Sequence, residues 1–140
     1  MNDTTQPITS RLVPEASRMD TVDRLFGLSY SLQLEPAIFQ YAEHLAAPRY
    51  NGGYWNFYTL SNGGFYLSLR SGITYNVSSA NGFEGPMTGD ALGIGACLYA
   101  YSSLSYGGGA FAELCANHYH WLREYLFMHP EARNILRAID

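Results

Sequence analysis

The stretch RYNGGYWNFYTLSNGGFYLSLR, residues 49–70, decides the fold of this chain. Two aromatic runs flank the segment Ser61-Asn62-Gly63-Gly64, and Asn-Gly between β-forming runs is the strongest short-range signal for a hairpin. A type I′ turn needs positive φ at both central residues, which Asn tolerates and Gly adopts freely. We therefore predict two antiparallel strands, Tyr54–Leu60 and Phe65–Arg70, joined by a tight turn.

The turn also predicts which side chains share a face of the hairpin. A loop at Asn62-Gly63 places Leu60 opposite Phe65, whereas a loop at Gly63-Gly64 places Leu60 opposite Leu67. In both cases one face would carry Tyr58, Leu60, Phe65, Leu67 and Leu69, and the other Trp55, Phe57, Thr59, Tyr66 and Ser68. Because both faces are rich in aromatic residues and a lone hairpin is unstable, we expect helices to cover both in part.

The remaining chain predicts an α+β fold, in which four or five helices pack on a small antiparallel sheet of about three to five strands. Its 140 residues fit a single domain spanning 1–140. Gly and Pro signals delimit the elements. The predicted strands are an edge strand within Ile8–Val13, a third strand Ile73–Ser78, and Phe83–Met87 as a loop or short fourth strand. The predicted helices are Arg18–Phe26 with Met19, Val22 and Phe26 inward, a helix between Pro36 and Pro48, Gly89–Leu104, Ala110–Met128 and Glu131–Ile139.

The helix Gly89–Leu104 is apolar almost all round, which is typical of a central helix. Thr88 is a suitable N-cap for it. The uncharged span Ala91–Ala112 is interrupted by several Gly and Ser residues, so it predicts a buried helix and not a membrane span. Gly89, Gly93 and Gly95 lie inside this helix without a phosphate-loop pattern, so they predict close helix–strand packing.

Composition argues against several classes of function. The net charge is -4, and all eight basic residues are Arg. The absence of a basic stripe argues against direct nucleic-acid binding, and the negative charge is too small and dispersed to imitate DNA phosphates. Cys97 and Cys115 fit no zinc spacing, which favours buried free thiols in a reducing cytosol. We predict no metal and no cofactor.

The residues offer one weak candidate for catalysis. Glu84 and Asp90 flank the turn before the central helix and could form an acid/base pair with a His. The simpler interpretation makes Asp90 a favourable charge at the helix start and Glu84 a surface acid. His118 and His120 are two apart on a predicted helix, so they point in roughly opposite directions and cannot share a metal.

Two further residues could take part in binding. Trp55 lies in an aromatic face that could stack on bases, but a packed or protein-binding face is favoured because few basic residues accompany it. Asp140 follows a helix directly, where its charge opposes the dipole. A frayed end would tolerate that charge, and the alternative is an acidic tip offered to a basic partner.

Three blocks carry a resemblance to a known family: YNGGYWNFYTLSNGGFYLSL at 50–69, NGFEGPMTGDALGI at 81–94, and HYHWLREYLFMHPEARNILRAID at 118–140. On these blocks the sequence resembles the KlcA/ArdB antirestriction family. The resemblance implies a cytoplasmic protein of plasmids and other mobile elements that relieves type I restriction. It also implies a small antiparallel sheet surrounded by helices, unlike the elongated acidic DNA mimics of another antirestriction class. It assigns no catalytic residue.

We therefore expect an interaction protein that engages the type I restriction complex without catalysis, as a monomer or weak dimer. The candidate interaction residues are Trp55, Glu84, Asp90 and Asp140. The rival hypothesis is a small hydrolase that uses Glu84, Asp90 and a His. A DNA-binding module is a third and weaker alternative.

Overall fold

The structure of the protein, a computed structural model, describes residues 6–50, 52–70 and 72–140. The strands are β1 (Ser10–Leu12), β2 (Tyr54–Leu60), β3 (Phe65–Arg70), β4 (Thr74–Ser78) and β5 (Glu84–Thr88). The helices are α1 (Arg18–Phe26), α2 (Glu35–Ala46), α3 (Gly89–Leu104), α4 (Gly109–Leu126) and α5 (Ala132–Ile139). A 3₁₀ turn at Glu15–Ser17 precedes α1, and a π-helical turn at Tyr30–Leu34, which the sequence did not indicate, leads into α2.

The strands form two antiparallel sheets, one in the order β1-β2-β3 and the other a separate β4-β5 ribbon. The predicted α+β class is confirmed, although the strands do not join in one sheet. Phe83–Met87, predicted as a loop or short strand, contributes the strand β5, in which Pro86 lies opposite Asn76. A two-stranded ribbon leaves one edge of each strand unpaired, which is where a Pro without an N–H is tolerated.

The strand boundaries of the central hairpin are confirmed, but both predicted registers are wrong. Thr59 lies opposite Phe65 and Tyr58 opposite Tyr66, because the loop contains three residues, Ser61 to Gly63. The Leu60 N–H donates to the Gly64 carbonyl at 2.8 Å, and the Gly63 N–H donates to the Leu60 carbonyl at 3.0 Å. The odd loop length changes the predicted faces. One face carries Trp55, Phe57, Thr59, Phe65, Leu67 and Leu69, and the other carries Tyr58, Leu60, Tyr66 and Ser68.

Asn62 explains why the turn is not the predicted type I′. No non-Gly residue in the described chain has positive φ, and in this loop Gly63 has φ of 103°. The Asn62 side chain serves a tertiary role: its Nδ2 donates to the Trp121 carbonyl at 2.9 Å and to Glu124 Oε1 at 3.2 Å. Its Oδ1 accepts a hydrogen bond from the Gly64 N–H at 3.1 Å. The tip of the hairpin is thereby attached to α4.

We expect Asn62→Ala to lower the free energy of unfolding by about 1–2 kcal/mol, because three hydrogen bonds at the hairpin tip are lost. Asn76→Ala is the matched control, since Asn76 is exposed and its side chain donates to the exposed Glu84. It should change stability by less than about 0.5 kcal/mol. Urea unfolding followed by circular dichroism measures both values, and equal losses would contradict a tertiary role for Asn62.

Helix α3 covers the open edge of β3, where Phe65, Leu67 and Leu69 turn their peptide groups away from β2. Four residues spaced four apart form one stripe of α3 against this edge: Gly89, Gly93, Cys97 and Tyr101. The Tyr101 hydroxyl donates to the Phe65 carbonyl at 2.7 Å, and the Leu67 N–H donates to Cys97 Sγ at 3.4 Å. The helix thus takes the place of a further strand, which shields the edge from other chains.

The two glycines of this stripe let the helix backbone touch the strand. A Cβ on Gly89 would lie 2.1 Å from the Leu69 carbonyl oxygen, and a Cβ on Gly93 would lie 2.1 Å from that of Leu67. The prediction of close helix–strand packing is therefore confirmed for Gly89 and Gly93. It is wrong for Gly95, which points away from β3 and has the side chain of Leu45 in α2 as its nearest neighbour, at 4.0 Å.

One hydrophobic core surrounds α3 and joins the central sheet to the helices. In α1, Val22 and Phe26 are buried as predicted, but Met19 is 71% exposed. The first turn of α1 instead places the Arg18 guanidinium over the Phe57 ring, with its carbon 4.7 Å from the ring centroid. Within the described ranges, we find no helix with the length and apolar character that crossing a membrane requires.

Candidate functional site

The clearest polar cluster of the protein is centred on Asp90, in the first turn of α3. Tyr66 donates its hydroxyl to Asp90 Oδ1 at 3.0 Å, and His129 Nε2 lies 2.7 Å from Asp90 Oδ2. Ser68 lies close enough to the same carboxylate to lower the pKa of Asp90. We call Asp90, Tyr66, Ser68 and His129 the Asp90 cluster.

Local structure explains how these side chains meet. Thr88 caps α3, as predicted, by accepting a hydrogen bond from the Ala91 N–H at 3.3 Å. The cap places Asp90 where the helix dipole favours a negative charge. Tyr66 and Ser68 are two residues apart in β3, so their side chains point to the same side of the sheet. His129 enters from the connection between α4 and α5.

Both ring nitrogens of His129 are occupied. The backbone N–H of Glu131 donates to His129 Nδ1 at 3.0 Å, so this nitrogen is an acceptor and carries no proton. The ring proton therefore resides on Nε2, and this N–H donates a hydrogen bond to Asp90. The side chain of His129 is only 6% exposed. No nitrogen is free to exchange a proton with a substrate.

The hydrogen bonds keep Asp90 ionised. Burial alone would raise the pKa of Asp90, but the donors His129, Ser68 and Tyr66 outweigh it and hold this pKa below its usual value. Burial and the adjacent Asp90 charge raise the pKa of Tyr66, which remains a neutral donor. A carboxylate stabilised in this way is a weak base, and a structural role fits it well.

A second set of contacts fastens the C-terminal region to the start of α3. The Glu131 carboxylate accepts from the Thr88 N–H at 2.9 Å and from the Thr88 hydroxyl. Asn134 Nδ2 donates to the Pro86 carbonyl at 3.0 Å, and the Tyr99 hydroxyl donates to the Ala138 carbonyl at 2.7 Å. Together with the Asp90 cluster, these bonds attach α5 to β5 and α3.

The other candidate residues do not join Asp90. Trp55 is 6% exposed and packs against Phe39 and Tyr50, so it offers no exposed ring to a partner. Glu84 is exposed on β5, where its carboxylate accepts from Asn76 at 3.2 Å. Asp140 is exposed at the end of α5, with Oδ2 3.5 Å from Arg123 Nη2. Its interaction role stays a prediction, as do those of Glu84 and Asp90.

The geometry gives the hydrolase hypothesis no support. Glu84 contacts Asn76 and not Asp90, and His129 has no free nitrogen. A cavity of about 370 Å³ is lined by His44, Tyr41 and Tyr99 among others, and neither Asp90 nor Glu84 reaches it. In the part of the chain that the structure describes, no three His, Cys, Asp or Glu side chains are placed to hold a metal.

His118 and His120 point in opposite directions, as their spacing predicts. His118 is 1% exposed, whereas His120 is exposed. Sequence reasoning missed the Asp90–His129 contact, because the two residues are 39 positions apart and no local spacing connects them. The Pro130 that follows His129 signals a helix end, but it does not indicate which side chain the imidazole will meet.

Comparison with known proteins gives consistent matches. The family model described as "Antirestriction protein" matches residues 48–140, which is more than half of the chain. An Escherichia coli protein named antirestriction protein KlcA is 41% identical over 144 aligned positions, covering 100% of both chains. A putative antirestriction protein, YubI of Escherichia coli strain K12, is 28% identical and covers 96% of this chain and 97% of its own.

A solved structure matches the whole fold. It aligns over 100% of both chains with a TM-score of 0.90 and 38% sequence identity. That structure comes from work on the KlcA and ArdB proteins, which are described as showing a novel fold and antirestriction activity against type I DNA restriction systems in vivo but not in vitro.

Proposed function

We infer that this protein relieves type I restriction of incoming DNA, because the chain belongs to the antirestriction protein family. The observation that carries the inference is full-length similarity: 41% identity to KlcA and a TM-score of 0.90 over the entire chain. We further propose that the protein acts in the cytoplasm, by contact with the restriction machinery and without chemical catalysis.

The Asp90 cluster supports action without catalysis. A catalytic Asp–His pair leaves the second imidazole nitrogen free for the reacting group, whereas the Glu131 N–H occupies it here. The hydrogen bonds of the cluster join β3, α3 and the α4–α5 connection to one another, as expected of a network with a structural role. Activity of the relatives in vivo but not in vitro also suits a protein that needs cellular components in order to act.

The charge distribution supports an interaction with protein instead of DNA mimicry. The net charge of -4 is small, and the acids Glu84 and Asp140 lie on different elements. Glu84, Asp140 and the partly exposed Asp90 remain the proposed contact residues. We propose that Trp55, being buried, supports the sheet from within and does not touch the partner.

Phage plating tests the proposed function. We expect the protein to raise the plating efficiency of unmodified phage at least tenfold on a host with a type I system and to change nothing on a host without one. Charge reversal at Glu84 or Asp140 should reduce the relief without lowering the melting temperature. Normal restriction in cells that make the folded protein would refute the proposal.

The variant His129→Gln distinguishes the hypothesis of action by contact from the hydrolase hypothesis. A glutamine amide can donate to Asp90 and accept from the Glu131 N–H, so it can keep both hydrogen bonds, but it cannot transfer a proton. If the protein acts by contact, we expect His129→Gln to retain restriction relief within about threefold of wild type. A general acid or base contributes about 10²–10⁴-fold, so the hydrolase hypothesis requires near-complete loss. Melting temperatures of both proteins provide the folding control.

A further inference from the structure

Two arginines share one exposed aromatic ring at the end of the central hairpin. The guanidinium carbon of Arg70 lies 4.6 Å from the centroid of the Tyr54 ring, and that of Arg18 lies 5.5 Å from it. Tyr54 is 44% exposed and lies directly opposite Arg70 on β2 and β3. We call Arg18, Tyr54 and Arg70 the arginine–tyrosine patch.

The positive charges of this patch have no carboxylate partner among the residues that the structure describes, although acidic residues outnumber basic ones, 12 to 8. Arg70 donates from Nη2 to the neutral amide oxygen of Asn56 at 3.0 Å. Arg18 Nε is buried and has no hydrogen-bond partner. A buried donor without a partner is unfavourable and rare in folded proteins.

The two positive charges also repel each other. Both lie close to one ring, so their separation is within about one Debye length, roughly 10 Å at 0.1 M salt. An anion bound between them would relieve this repulsion and could accept from the donors that remain free. Guanidinium groups are well suited to this because their planar forks match the two oxygens of a carboxylate.

We propose that the arginine–tyrosine patch is a docking site for an acidic segment of a protein partner. This proposal rests on the proposed function and adds a second surface, besides Glu84, Asp90 and Asp140, that would meet the restriction machinery. Arg and Tyr are among the residue types that contribute most to binding at protein interfaces. Here Tyr54 and Arg70 are exposed on the hairpin, and the partly exposed Arg18 of α1 lies beside them. A partner carboxylate beside an apolar side chain would satisfy the guanidinium groups and cover the Tyr54 ring.

Charge favours protein over nucleic acid as the occupant. Binding to a phosphate backbone requires several basic side chains in a row, and this patch contains two. Glu15 and Asp20 lie within three residues of Arg18 in sequence, and the chain as a whole is negative. These acids repel an extended polyanion, whose many charges lie along its whole length. They do not prevent one or two carboxylates from binding at the patch itself.

The first test uses a defined probe. Arginine Nε–Hε signals of the ¹⁵N-labelled full chain, assigned with single Arg→Lys variants, are followed by NMR during titration with hexaglutamate. Of the eight arginines, we expect Arg18 and Arg70 alone to shift, saturably, and to return at about 1 M salt, where charges are screened. Uniform shifts over all eight, or no shift at Arg18 and Arg70, would overturn the proposal. Stronger shifts with a DNA duplex of equal charge would also overturn it, in favour of nucleic acid.

The second test is made in cells. We expect the double variant Arg18→Gln/Arg70→Gln to lose at least tenfold in restriction relief, whereas the matched control Arg24→Gln/Arg133→Gln keeps it, since Arg24 and Arg133 are exposed elsewhere. If the double Gln variant does not fold, Arg18→Lys/Arg70→Lys replaces it, because Lys keeps the charge and loses the fork. Relief equal to wild type by a folded double variant overturns the docking site. If the wild type gives no relief, the proposed function fails, and the NMR titration alone decides this inference.

Discussion

Replacing Gly93 by alanine is expected to lower the free energy of unfolding by about 4 kcal/mol or more, enough to unfold much of the protein. The new methyl group would lie 2.1 Å from the Leu67 carbonyl oxygen and 3.0 Å from the Cα of Ser68. Both are backbone atoms of β3, so no side-chain rotation relieves the overlap. The helix must move away from the strand, and the bonds from Tyr101 to Phe65 and from Leu67 to Cys97 would lengthen or break.

Gly95→Ala is the matched control. It makes the same chemical change two residues away in the same helix, but the nearest atom to its new methyl group is Leu45 Cδ1, at 4.0 Å. Because alanine favours helix over glycine by about 1 kcal/mol, we expect Gly95→Ala to be neutral or stabilising by up to that amount. Urea unfolding measured by circular dichroism gives both values. Equal effects of Gly93→Ala and Gly95→Ala would refute the role assigned to the contact between α3 and β3.

The contrast between the two glycines shows how far sequence reasoning reaches. A glycine within an apolar helix predicts a close approach, and Gly89 and Gly93 fulfil that prediction. The sequence also shows that Gly89, Gly93, Cys97 and Tyr101 follow one another at intervals of four residues. It does not show that an unpaired strand edge lies opposite the stripe that these residues form. That fact depends on which neighbour β3 lacks, which only the tertiary fold determines.

The hairpin shows the same division between local and tertiary information. Alternation and turn residues predicted β2 and β3 with their observed bounds, because strand ends depend on local signals. The register depended on whether Asn62 would take positive φ. Its side chain binds Trp121 and Glu124 of α4 instead, about 60 residues later in the chain, and the loop gains a residue.

The candidate site was less predictable than the fold. Asp90 was recognised as a helix-start charge, and its place in the first turn of α3 agrees with that. Its partners come from β3 and from the α4–α5 connection, so no window of sequence contains the cluster. The arginine–tyrosine patch was not predicted at all, since Arg18 and Tyr54 meet only when α1 packs beside the hairpin.

Acid is expected to weaken the fold through His118. This side chain is 1% exposed, lies among the rings of Phe26, Tyr101 and Trp121, and has no hydrogen-bond partner at Nδ1. Burial disfavours the charged imidazolium and lowers the pKa of His118 from 6.5 to about 4. The unfolded chain therefore binds a proton at a higher pH than the folded protein does. Stability should be unaffected above pH 6.5 and should fall as the pH drops from 6.5 to 4.

The shift from 6.5 to about 4 corresponds to a loss of about 3 kcal/mol across that interval. His118→Phe should abolish this loss, because Phe fills a similar aromatic site and does not titrate. At pH 7 it should be at least as stable as wild type, since it removes a buried nitrogen that has no partner. The titration of Asp90 does not interfere with this measurement. Its pKa lies below the usual 3.8, so its contribution to the free energy of unfolding is lost only at lower pH. Urea unfolding from pH 7 to 4 measures both proteins, and an unchanged pH dependence in His118→Phe would assign the acid sensitivity to another group.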